Sequence, residues 1–324
     1  MSIRSVFAAI AVGSFFVAAP AHAETLMTDD NPSQFVSGVH PELGNSVLNN
    51  TAETVCYRTF CASQSSATKG AVWSAEHLTI QQVSAAKGAS RKEMEFHPDE
   101  NIPAQDSATL ADYRGRGMDR GHMAPWADSA DPDCFTLANI VPQNSDNNRH
   151  LWEGIETSVR DLVYGYGDVY VVSGPIFQGA HVVNLNGRVV VPSALYKAVY
   201  VPSRGVAGVY ITGNLSGNQY ALISINELQA ITKTDVFPTL PVDLRNKIAN
   251  LPAPKHGGQR IDPNQLLQLS ADGYAQEVYE AEHHISNNRG WSAYNRNPDD
   301  MASNGVVHGV LRGIGNGLLH SLER

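Results

Sequence analysis

The chain has 324 residues, 42% of them hydrophobic and 17% charged, with 32 acidic against 23 basic side chains and a formal net charge of −9. That balance excludes a protein drawn to nucleic acid by long-range attraction, so any contact with phosphate has to rest on a few local arginines. The three cysteines, Cys56, Cys61 and Cys134, are too few and too widely spaced for a structural zinc centre.

Residues 1–23 have the three-part layout of a secretory leader: Arg4, an apolar run over 6–19, then Ala21-His22-Ala23 before Glu24. Cleavage after Ala23 is expected, leaving a secreted or periplasmic protein of roughly 300 residues. Its charge would be −10, because Arg4 is the one charged side chain of the leader. The apolar run is too short to span a bilayer and no later stretch approaches that length, so no membrane partner is expected. In an oxidising compartment three cysteines suggest one disulfide and one leftover thiol. Cys56 and Cys61 are the nearest pair, but along an extended strand they would stand about 16 Å apart, so that bridge requires a turn. The pairing stays open at this point.

Residues 24–53 are polar and rich in Asn, Ser, Pro and Gly, which reads as a poorly ordered lead-in. Strands are expected over 54–62 and 71–79 around a turn at 64–70, and residues 80–118 read as mostly loop. A strand over 135–141 precedes a helix that Ser145 and Asp146 could cap, with Leu151, Ile155, Val159 and Leu162 on one apolar face. Further strands fall at 168–173, 188–192, 195–202, 205–212 and 220–225. So many strands with so few helices between them predict an α+β fold with a central antiparallel sheet flanked by helices. The folded domain is expected over 54–242. Residues 243–324 read as a helical appendage, broken by Pro252-Ala253-Pro254 and Gly257-Gly258 and ending in a glycine-rich stretch over 304–322. Gly313, Gly315 and Gly317 have the spacing of a dinucleotide loop without the strand that must precede one, and Glu282-His283-His284 reads as solvated helix surface.

The chemistry concentrates at Asp119-Arg120-Gly121-His122-Met123-Ala124-Pro125. A histidine that can take a proton stands next but one to an arginine that can hold a phosphate, a pairing suited to phosphodiester hydrolysis. Together with Asp112-Tyr113-Arg114-Gly115-Arg116-Gly117-Met118, this segment resembles the DRGH signature of the DNA/RNA non-specific endonucleases, the ββα-metal nucleases. A second signature of that family resembles Asn139-Ile140-Val141-Pro142-Gln143 followed by Asn148, nine residues after Asn139, and by Glu156. The likeness covers about residues 54–242.

The resemblance implies a ββα-metal core holding Mg²⁺, with Mn²⁺ as a possible substitute. It also implies His122 as general base, Arg120 as a clamp on the phosphate, Asn148 as metal ligand and Glu156 as acceptor for metal-bound water. Asn139 is grouped with these catalytic residues, and Arg91 takes the place of a second phosphate-binding arginine. Asn147, one residue away, is the rival for the ligand position. The implied reaction is cleavage of DNA and RNA with little sequence preference, leaving 5′-phosphate ends, and failing as histidine protonates below about pH 6–7. The rival readings are a nucleic-acid-binding relative that kept the fold and lost the reaction, and another hydrolase. Joint presence of His122, Arg120 and Asn148 speaks against the first. No Gly-x-Ser-x-Gly elbow or His-Glu-x-x-His helix supports the second.

Overall fold

The computed structural model describes residues 31–114, 118–179 and 183–284. The expected leader, Arg116 and the glycine-rich residues 304–322 lie outside that range, as do the side chains of Glu282, His283 and His284. From the amino end, β1 (Glu42–Leu43) and α1 (Ser46–Thr51) lead into β2 (Ala52–Cys56), β3 (Phe60–Ser65) and β4 (Gly70–Leu78). Then come α2 (Ile80–Ala86), β5 (Met118–His122), the short α3 (Trp126–Ser129), β6 (Ile140–Asn144), a π-turn (Asn147–Trp152) and α4 (Glu153–Tyr166). β7 (Val169–Ile176), β8 (Asn184–Leu185), β9 (Val189–Val190), β10 (Ala194–Val201), β11 (Val206–Gly213) and β12 (Gln219–Ile223) follow. The described chain finishes with α5 (Ile225–Thr232), β13 (Thr234–Asp235), α6 (Val242–Arg245), β14 (Gln259–Arg260) and α7 (Pro263–His284).

One sheet of eight strands, in the order β14-β12-β11-β10-β7-β4-β3-β2, forms the middle of an α+β fold. Its pairings are antiparallel except at one edge, where β14 lies parallel to β12, so the sheet is mixed rather than wholly antiparallel. Alternation along the strands gives each face its own core. One face packs Trp73, Val172, Ala198, Val209 and Ile223 against Leu48, Ile225, Leu228, Leu266 and Leu267 from the flanking helices. The other packs Leu78, Val171, Leu195, Val199 and Leu222 against Leu151, Ile155, Val159 and Leu162, the helical stripe expected from sequence.

Several expectations are corrected. The strand expected over 54–62 is a hairpin: β2 and β3 pair antiparallel with Arg58 and Thr59 at its tip, and the turn brings Cys56 beside Cys61 in a disulfide with Cα atoms 4.0 Å apart. Cys134 is the buried free thiol among the described residues. Residues 80–86 are helix, not loop, because Thr79 and Gln82 form a capping box. Asn144, not Ser145 or Asp146, caps the π-turn, its Oδ1 accepting from the Asp146 and Asn147 backbone at 3.0 and 3.2 Å. The lead-in is structured from residue 31: Phe35 and Leu48 are buried in the core, and β1 pairs with β13. Residues past 242 likewise join the same body for their first thirty positions. Leu251, Leu266 and Leu267 are buried and β14 extends the sheet, because these leucines supply apolar area the sheet would otherwise expose.

Candidate active site

The motif folds as a hairpin against the sheet face that carries α4. β5 runs antiparallel to β6, pairing Asp119 with Gln143, Gly121 with Val141 and His122 with Ile140. Gly121 is required here because a Cβ would lie 2.1 Å from Gln143 Oε1 and 2.6 Å from Gln143 Cβ. The chain then turns back through β6 into the π-turn and α4, giving the strand-strand-helix order. A π-turn is an uncommon device that often marks functional sites.

His122 stands in an aromatic frame, its ring centroid 5.2 Å from Phe96 and 5.0 Å from Phe135. Its Nε2 is buried and has no hydrogen-bond partner among the described residues. Arg120 lies over Phe96 with its guanidinium carbon 4.4 Å from the ring centre, and Arg91 lies 5.5 Å from that of Phe135. The two arginines therefore flank the histidine. Burial, then the charges of Arg91 and Arg120, push the imidazole down to about 3, so it stays neutral and able to accept a proton far below the usual histidine range. That is well below the ordinary value behind the expected acid limit near pH 6–7.

The two candidate amides differ in what surrounds them. Asn147 is fully buried and spoken for: Oδ1 accepts from Gln143 Nε2 at 2.8 Å, and Nδ2 donates to Thr212 Oγ1 at 3.0 Å. Asn148 donates Nδ2 to Asp119 Oδ2 at 2.9 Å, and its Oδ1 accepts no hydrogen bond among the described residues. Asp119 is itself gripped by Arg149 through Nε and Nη2, at 2.9 and 2.8 Å, and by Ser145 Oγ at 3.0 Å. Its burial disfavours the charge, but these hydrogen bonds outweigh that and hold the carboxyl below its ordinary value. An amide oxygen left open beside a fixed carboxylate suits Mg²⁺, which takes few protein ligands and keeps several waters. No group of three or more His, Cys, Asp or Glu side chains is placed to hold a metal ion among the described residues.

Glu156 lies one layer deeper, buried at 8% exposure, and burial raises its carboxyl to about 7 despite the opposing charges of Lys197 and Arg160. Asn139, grouped from sequence with the catalytic residues, is a correction: it is fully buried and cannot touch a substrate. Its Oδ1 accepts from Ser74 Oγ and Ala124 N, and its Nδ2 donates to the Ala124 and Cys134 carbonyls, so it pins the chain just after His122. Of the neighbouring arginines, Arg149 is committed to Asp119 and Arg114 is exposed. Sequence reasoning missed Asp119 as the holder of Asn148, Phe96 and Phe135 as the walls, and a buried charged group of Glu76, Asp128, Arg160 and Lys197. Only Asp119 had a local signal, as the first letter of the motif.

A sequence profile of the DNA/RNA non-specific endonucleases matches residues 40–243. Among curated relatives, Nuclease C1 of Cunninghamella echinulata var. echinulata is 39% identical over 147 residues, 41% of this chain and 58% of that protein. The mitochondrial nuclease EXOG of Homo sapiens is 34% identical over 222 residues, 60% of each chain. The mitochondrial endonuclease G of Homo sapiens is 38% identical over 115 residues, 34% of this chain and 38% of that protein. In all three the match spans less than two thirds of the relative's own length. The motif hairpin, the π-turn, α4 and most of the sheet behind them fall inside the matched residues, and the chain belongs to the DNA/RNA non-specific endonuclease family.

Proposed function

We propose that this protein is a Mg²⁺-dependent endonuclease, secreted or periplasmic, that hydrolyses DNA and RNA with little sequence preference and leaves 5′-phosphate ends. The observation that carries the reading is the His122 ring, framed by Phe96 and Phe135, kept neutral and flanked by two arginines. A neutral imidazole accepts a proton from the attacking water; the water oxygen bonds to phosphorus, and the bond to the 3′ oxygen breaks. Arg120 and Arg91 hold the non-bridging oxygens, where negative charge grows. Asn148 Oδ1 would hold the metal, which when bound supplies positive charge to the departing oxygen. Asp119 fixes the Asn148 amide so that its oxygen rather than its NH₂ faces outward. Low sequence preference follows from side chains that suit phosphate and none arranged to read base edges.

The secretory leader and the Cys56–Cys61 disulfide support an oxidising compartment. The deciding experiment is cleavage of supercoiled plasmid and of RNA by the wild type and by His122→Ala, each with Mg²⁺ and with EDTA. Cutting that persists in EDTA, or equally in the variant, refutes the reading.

A further inference from the structure

The sheet face toward α4 is apolar at its margins and polar in the middle. Ser74 on β4 stands opposite Ser173 on β7, and Ser173 opposite Lys197 on β10, while Glu76 follows two residues along from Ser74 on the same side. Lys197 and Glu76 are each 1% exposed. Lysine and glutamate are almost never fully buried without cause, because taking either charge out of water is strongly unfavourable. The Lys197 ammonium donates to Ser173 Oγ at 2.6 Å and to the Met123 carbonyl at 3.4 Å, and lies 5.0 Å from the centre of the Trp152 ring. Met123 directly follows His122. Its N–H donates to the Asn139 carbonyl at 3.0 Å, so the Met123 backbone is held by Asn139 through its N–H and by Lys197 through its carbonyl.

Glu76 Oε2 is buried without a hydrogen-bond partner among the described residues. Burial and then Asp128 raise the Glu76 carboxyl well above its ordinary range, with Lys197 opposing. Arg160 is taken up by Asp128 at 2.7 Å, which leaves Lys197 as the cation on the strand face shared with Glu76. A methionine or leucine would fill the lysine's volume at no desolvation cost. The expense is explained if the ammonium orders the end of β5.

We propose that Lys197 is a positioning residue for the reaction: from beneath the site it fixes the Met123 backbone, and with it the neighbouring His122 imidazole, through one hydrogen bond to the Met123 carbonyl. This rests on the reading of His122 as the base. Lys197 is too deeply buried to meet substrate, so its loss is expected to act on turnover and not on binding.

The test uses the full chain with Mg²⁺ and supercoiled plasmid, and begins with wild type against His122→Ala. A wild type that does not cut, or a variant that cuts equally, fails the nuclease reading itself. Where both behave as proposed, Lys197→Met is expected to lower kcat about tenfold or more, leave KM for DNA within about twofold, and move the imidazole ¹⁵N signals of His122 in metal-free protein. Lys197→Met/Glu76→Gln removes both buried ionisable groups; it is expected to recover melting temperature while kcat stays low. Wild-type kcat in Lys197→Met, or kcat restored along with stability in the double variant, overturns the proposal and leaves Lys197 as a mere counter-charge. If neither lysine variant folds, Ser173→Ala decides, since it removes the shorter of the two hydrogen bonds that place the ammonium while keeping the charge. Reduced kcat with a shifted His122 signal supports the proposal, and no change in either overturns it.

Discussion

Glu156 should make the protein more active and less stable at the same time, and replacing it with Gln separates the two. Burial carries its carboxyl from the ordinary 4.5 to about 7 in the fold. Between those values the unfolded chain has lost the proton while the folded one keeps it, so stability falls as pH rises through the window. At about 1.4 kcal/mol per pH unit the accumulated loss is about 3 kcal/mol, complete above pH 7. Glutamine has no proton to lose and keeps nearly the same shape. The Glu156→Gln variant should therefore gain on the wild type by up to about 3 kcal/mol between pH 4 and pH 8, with no further gain beyond.

Urea denaturation in EDTA across that range measures the difference directly, and comparing variant with wild type cancels the titration of every group that Glu156 does not influence. Turnover with Mg²⁺ should fall, because a neutral amide oxygen is a weaker hydrogen-bond acceptor than a carboxylate for a water that a bound metal would hold. A stability difference that does not change with pH would mean that Lys197 and Arg160 outweigh burial and keep Glu156 ionised in the fold. A difference that shrank as pH rose would reverse the sign and refute the reasoning.

His122→Ala should fold and lower turnover by roughly 10²–10⁴, the usual worth of a positioned base, as measured on plasmid at saturating Mg²⁺. Because burial and the two arginines hold the imidazole at about 3, wild-type turnover should show no acid limb centred on the ordinary histidine value of 6.5. The same depression means that the unfolded chain takes up a proton below 6.5 and the folded chain does not, so stability should decline from there downward, and less so in His122→Phe by urea titration. Asn148→Ala should abolish the response to added Mg²⁺ with little change in melting temperature. Asn147→Ala should do the opposite, costing about 1–3 kcal/mol because Gln143 Nε2 and Thr212 Oγ1 lose a buried partner. Arg120→Lys keeps the charge but loses the planar fork stacked on Phe96, and should cost more turnover than Arg114→Lys throughout a salt series; equal losses would reduce Arg120 to bulk charge.

What could be read from the sequence was what lies in consecutive residues or repeats at a fixed period. The Asp119–His122 strand is four adjacent letters, and the buried stripe of α4 recurs at helical spacing, so neither needs knowledge of the rest of the chain. The β2–β3 hairpin was missed for a local reason: Arg58 and Thr59 carry none of the Gly or Asn that usually announces a two-residue turn, and β-branched and aromatic residues run on either side of it. The buried charges were missed for a non-local one. Glu76 and Lys197 are ordinary surface letters until β4, β7 and β10 are laid side by side, and no window of sequence contains all three strands.

The three asparagines make the same point most sharply, since composition treats Asn139, Asn147 and Asn148 alike. Asn139 has both ends of its amide consumed by the fold and so holds the site together without entering it. Asn147 spends its amide on Gln143 and Thr212 in the interior. One residue further, Asn148 is only partly buried, and Asp119 takes its NH₂ and leaves its oxygen open. An amide can serve a cation only when its oxygen is unspent and its NH₂ is tied down, and that state is set by Gln143, Thr212 and Asp119, partners that a count of nine residues from Asn139 cannot supply.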